Sequence, residues 1–146
     1  MSPFRSLRDY ETFVYTLPQQ FPHIVSSTLT VIRRGKYLAE VMGELFLPAE
    51  IRLSVYEHLT WDTGTIVIEG YSYEVWRGGE KLYWYDSQPH PDDVILAATD
   101  PHHKHIPPDI KHHRVAAPEL SLMQPNLPFL IEEIKRIGVE MNVASR

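Results

Sequence analysis

The chain has 146 residues, 43% of them apolar, and carries a formal charge of −5 with no cysteine. That length fits one domain, residues 1–146, and the missing cysteines exclude disulfides and thiolate metal sites. An acidic body argues against a surface coated in basic residues for general DNA binding, so any nucleic-acid contact has to be local.

The opening MSPFRSLRDYETF is too polar for a signal peptide, and no stretch approaches the ~20 apolar residues of a membrane span. A cytoplasmic protein without membrane contacts is expected. Leu7, Tyr10, Val14 and Leu17 then recur at helical spacing after Ser6, a good N-cap residue, and Pro18 is expected to end that helix. From Ile24 the period falls to two, predicting a strand as far as Ile32. Arg33 to Lys36 reads as a hairpin turn, and the return strand runs from Tyr37 to Phe46.

The cleanest alternation follows, from Ile51 to Thr60, where Glu57 interrupts the apolar side. A strand from Thr65 to Trp76 turns at Gly78-Gly79 and returns over Lys81 to Tyr85. A proline-rich loop occupies Asp86 to Ile110, with a short strand or helical turn at Val94 to Ala98. An edge strand is expected at His112 to Ala116. Asn126 is placed to cap a last helix striped by Leu127, Leu130, Ile131, Ile134 and Ile137, which Gly138 would end. These elements predict an α+β fold: an antiparallel meandering sheet of about five or six strands with N- and C-terminal helices on one face.

Chemistry concentrates between Tyr83 and Arg114, which holds six of the eight histidines: His90, His102, His103, His105, His112 and His113. From His102 to Arg114 three bases oppose one acid, giving +2 with neutral imidazoles, so the rest of the chain holds −7. Imidazoles titrate near neutrality and suit general acid–base work. The candidate catalytic residues are Asp86, His90, His102, His103, Lys104 and His105. Tyr71, Tyr73 and Tyr85 are candidates for stacking bases, although ordinary cross-strand pairing explains them as well. Arg33 and Arg34 are candidates for a phosphate contact, and Trp76 and Trp84 are assigned to the core. His103 and His105 would share one side of an extended segment, where Asp86 or His90 completes a metal site. The stretch matches no recognised ligand frame, so no metal or cofactor is assigned.

GYSYEVW, GEKLYWYDSQPHP and DPHHKHIP together resemble the TumE-type toxins of prokaryotic toxin–antitoxin pairs. Tyr71 and Tyr73 match the first block, Asp86, Pro89 and His90 the second, and Pro101 to His105 the third. Glu74, Trp84 and Pro91 depart from the pattern. The resemblance implies a toxin neutralised by a small DNA-binding antitoxin; a homodimer is compatible with the sequence.

The leading expectation is a toxin acting on RNA as a metal-independent ribonuclease. One imidazole would deprotonate the ribose hydroxyl, another would protonate the leaving oxygen, and Lys104 would stabilise the phosphorane. Asp86 would orient an imidazole. A non-enzymatic protein- or nucleic-acid-binding module and a histidine-rich metal-binding protein stand as alternatives. Convergence of several histidines with Asp86 in one place separates the enzyme from the binding module.

Overall fold

A computed structural model describes residues 4–89 and 92–144, and His90 lies outside them. Helix α1 spans Leu7–Tyr15, and the Ser6 hydroxyl caps it by accepting from the Asp9 amide at 3.1 Å. Pro18 does not end the helical run. A short helix α2, Leu17–Gln20, resumes with Pro18 in its first turn, where a missing N–H goes unused.

Among the described residues eight strands follow, all joined antiparallel in one sheet: β1 Ser26–Ser27, β2 Thr30–Gly35, β3 Leu38–Leu47, β4 Ile51–Thr60, β5 Val67–Arg77, β6 Glu80–Asp86, β7 His103–His105 and β8 Arg114–Ala116. The last described element is helix α3, Leu127–Ala144. The α+β class is as the sequence predicts, but the sheet has more strands than five or six. The first predicted strand splits into β1 and β2, which share one edge of β3, and the proline-rich loop contributes β7.

Glycine makes that split feasible. Gly43 has φ +133, and a Cβ there would lie 2.5 Å from the Thr28 carbonyl oxygen, which passes over β3 between β1 and β2. Gly43→Ala should therefore lose about 2–3 kcal/mol, from a left-handed backbone and a backbone clash together. Chemical denaturation of the purified variant checks this, and an unchanged midpoint would contradict it.

The sheet has a covered face and an open face. Leu53, Val55, Glu57, Leu59, Tyr71, Tyr73, Val75, Tyr83 and Tyr85 point to the covered face and are buried. Helices α1 and α3 both lie there: Tyr10 donates to Glu57 at 2.5 Å, and Tyr85 donates to Glu133 at 2.8 Å. Leu127, Leu130, Ile131 and Ile134 of α3 are almost wholly buried in the same core, each contributing about 1.5–3 kcal/mol of transfer free energy.

Gly138 does not end α3. The apolar stripe continues through Met141, which packs on the core and carries the helix past the glycine. Asn126 does not use its side chain as a cap either. Its amide donates to Tyr73 at 3.1 Å and to the Ser121 carbonyl, so the side chain is already engaged below the helix. Among the described residues no helix is long and apolar enough to cross a membrane.

Candidate functional site

Strand β7 decides which side chains meet. Its three residues pair with β6 in the register Trp84↔His105, Tyr85↔Lys104 and Asp86↔His103. Opposed residues in an antiparallel pair share a face, and neighbours along a strand alternate. His103 and His105 therefore join Trp84 and Asp86 on the open face, while Lys104 joins Tyr83 and Tyr85 on the covered face.

On the open face the three predicted groups converge. Asp86 Oδ1 lies 2.7 Å from His103 Nε2, and Oδ2 lies 3.2 Å from His105 Nε2. The two Nε2 atoms are 3.0 Å apart. His103 and His105 are 1% and 5% exposed, whereas Asp86 keeps an accessible edge, its side chain 20% exposed. Trp84 donates to Asp86 Oδ2 at 2.9 Å, and the Gln88 amide donates to Oδ1 at 3.0 Å. Burial alone would raise the Asp86 carboxyl, but the hydrogen bonds from His103, Trp84 and the Gln88 amide outweigh it and hold the group well below the usual carboxylate range. Burial holds His105 below the ordinary imidazole value, with Asp86 opposing and His103 reinforcing.

The other predicted residues separate from this cluster. His102 turns to the covered side, where its Nδ1 is 2.6 Å from the Tyr71 hydroxyl and its ring stacks on that of Tyr71. Burial, reinforced by Asp86, pushes the Tyr71 hydroxyl well up, so it keeps its proton. His102 itself is lowered by burial, against Asp100. Lys104 lies 3.4 Å from Glu133 and over the Tyr83 ring at 4.3 Å, tying β7 to α3. A lysine on the far face of the sheet has no line to a phosphate at His103 and His105.

Tyr71, Tyr73 and Tyr85 are 4%, 0% and 2% exposed. The base-stacking role expected of them does not fit, because α1, α3 and the 102 turn cover all three rings. Arg33 and Arg34 stay at the β2–β3 hairpin, several strands from the cluster. Arg33 donates to the Gly35 and Lys36 carbonyls, and Arg34 pairs with Glu40 at 3.6 Å. His112 and His113 are exposed and bond within their own loop, to Asp109 and to the Pro107 carbonyl.

The residues that sequence reasoning missed are the tryptophans. Trp76 and Trp84 are not core side chains; both are half-buried on the open face. Trp84 stacks on His105 with ring centroids 3.8 Å apart. Lys81 lies over Trp84 at 4.1 Å and over Trp76 at 5.3 Å, and Arg52 lies over Trp76 at 4.8 Å. A continuous line of contacts thus runs Arg52, Trp76, Lys81, Trp84, His105, Asp86. Both cations are also paired with acids, Arg52 with Glu44 at 3.0 Å and Lys81 with Glu74 at 2.5 Å. Period-two counting offered one signal, since Trp84 has the parity of Asp86 and not of Tyr83 or Tyr85.

No curated protein and no solved structure matches this chain. A family model described as Toxin TumE does, over residues 14–137. That span contains the whole sheet, the Asp86–His103–His105 cluster and most of α3, and it bears out the resemblance carried by the three sequence blocks. The chain belongs to the TumE toxin family, and a toxin of this kind implies a cognate antitoxin as its partner.

Proposed function

We propose that this toxin acts on RNA, laying an unpaired strand along the open face and cleaving it at the Asp86–His103–His105 cluster. The observation that carries this reading is the contact line from Arg52 through Trp76, Lys81 and Trp84 to His105. Aromatic rings between cations on an open sheet give unpaired bases a stacking surface, and RNA is mostly read in single strands. The line ends at two imidazoles and a carboxylate, the kind of groups that phosphodiester cleavage uses. The stacking role moves from the buried tyrosines to the tryptophans, and Lys104 serves the fold instead of the reaction.

Trp76 provides the cleaner test, because it lies along the line without touching Asp86. Trp76→Ala should weaken binding of a labelled single-stranded RNA by roughly 5- to 150-fold, the equivalent of ~1–3 kcal/mol for one stacked base. Binding is measured by fluorescence anisotropy with untagged protein, and cleavage on the same RNA with divalent ions and in chelator. Because Arg52 and Lys81 already have acidic partners, affinity should fall only shallowly with salt. Unchanged affinity in Trp76→Ala, with a circular dichroism spectrum matching the parent, would remove the open face from RNA binding. Binding without cleavage under every condition would leave a non-enzymatic module.

A further inference from the structure

We propose that Asp86, His103 and His105 bind one first-row divalent transition-metal ion, of the class of zinc or manganese, through a carboxylate oxygen and two Nε2 atoms. The tautomers come first. His103 Nδ1 lies 3.2 Å from the Pro101 carbonyl oxygen, and His105 Nδ1 lies 3.0 Å from that of Ile110. A carbonyl only accepts, so both Nδ1 atoms carry the proton, and a neutral ring then has its lone pair on Nε2. Those two lone pairs face each other at 3.0 Å and face the two oxygens of Asp86 at 2.7 and 3.2 Å. With both rings neutral, four acceptors gathered this closely repel one another unless a cation lies among them, either a metal ion or the extra proton with which His103 donates to Asp86.

The spacing suits a metal ion. Ligands on adjacent positions of an octahedral ion, with bonds of about 2.1 Å, sit about 3.0 Å apart, and on a tetrahedral one about 3.4 Å. The three side chains offer ligand atoms that all lie within 4.8 Å of one another, and the imidazole nitrogens already stand at the shorter spacing.

Outer contacts are in place as well. The Pro101 and Ile110 carbonyls fix both rings, Trp84 and the Gln88 amide hold the carboxylate, and the Trp84 ring lies against His105. Such partners fix the ligand tautomer and raise its basicity. Two imidazoles with one carboxylate favour transition metals over calcium or magnesium, and three protein ligands leave positions for water or a phosphate oxygen. This replaces the metal-free imidazole pair expected from sequence, and it rests on the cluster's own geometry, apart from the RNA reading.

The competing occupant is a single extra proton held between the two Nε2 atoms, and the experiment separates the two. Untagged protein is stripped with chelator, dialysed, and titrated calorimetrically with zinc and with manganese chloride in the absence of RNA. One-to-one binding is expected, with a rise in melting temperature. His105→Ala and the near-isosteric Asp86→Asn should each weaken it by at least about 100-fold. His112→Ala, in the exposed loop, should bind as the parent does. Nitrogen-15 spectra of the parent should show the two Nε2 signals moving on addition of zinc, a readout independent of how the variants fold. The proposal is overturned if neither ion binds one-to-one at about 1 mM. It is equally overturned if binding survives in well-folded Asp86→Asn and His105→Ala, or if the Nε2 signals report a shared proton that zinc leaves in place.

Discussion

Expressed alone in a host, Asp86→Asn should fail to arrest growth where the parent chain arrests it, and the purified variant should cleave RNA at least ~10²-fold more slowly. Asp86 touches both buried imidazoles, and its two oxygens also take hydrogen bonds from Trp84 and the Gln88 amide. Asparagine keeps the size but replaces one oxygen with a donor and removes the charge. A donor cannot face both an indole N–H and a backbone amide, so one of the positioning contacts must break. RNA affinity should change far less than the rate, because the stacking line through Trp76 and Lys81 is untouched. The measurements are growth after induction, growth with the antitoxin gene co-expressed, and single-turnover cleavage by protein of verified fold. Full toxicity of Asp86→Asn would remove the cluster from the toxin's chemistry.

Several parts of this fold are legible because they are local. The alternation from Ile51 to Thr60 reproduces β4 to the residue, and the glycines after Arg77 mark the β5–β6 hairpin. Strand β7 is a different case. Three residues in a proline-rich stretch have too little period to announce a strand, and their conformation comes from pairing with β6 across a long loop. Without that strand, His102, His103, Lys104 and His105 read as one cluster. With it, alternation sends His102 and Lys104 to one side of the sheet and His103 and His105 to the other.

The tryptophans were obscured for a related reason. Strand β6 is aromatic on both faces, so hydrophobic pattern alone cannot say which face the helices cover. That choice belongs to α1 and α3, whose contacts with Glu57 and Tyr85 fix it.

Glu57→Ala should destabilise the fold by roughly 3–5 kcal/mol, through lost hydrogen bonds and a cavity together. Glu57 was the one break in the apolar side of β4, and it is 0% exposed. Tyr10 of α1 donates to one of its oxygens at 2.5 Å, and Tyr73 of β5 donates to the other. Asn126, at the start of α3, donates to Tyr73, so a single carboxyl links both helices to the sheet. Alanine would leave the Tyr10 hydroxyl buried without this acceptor.

The same burial sets a pH dependence. It raises the Glu57 carboxyl above its ordinary value, more than the hydrogen bonds from Tyr10 and Tyr73 lower it. A carboxyl with a raised folded-state pKa contributes its full stability below the unfolded-state pKa and loses it as pH rises through the folded-state one. The parent should therefore lose stability from the ordinary carboxylate range upward. Glu57→Gln, which cannot ionise and keeps part of the hydrogen bonding, should flatten that slope. Urea denaturation of parent and Glu57→Gln at a series of pH values decides it: the advantage of the parent must shrink as pH rises. A difference that stays constant with pH would mean that Glu57 ionises as readily in the fold as in water, and the burial argument would fail.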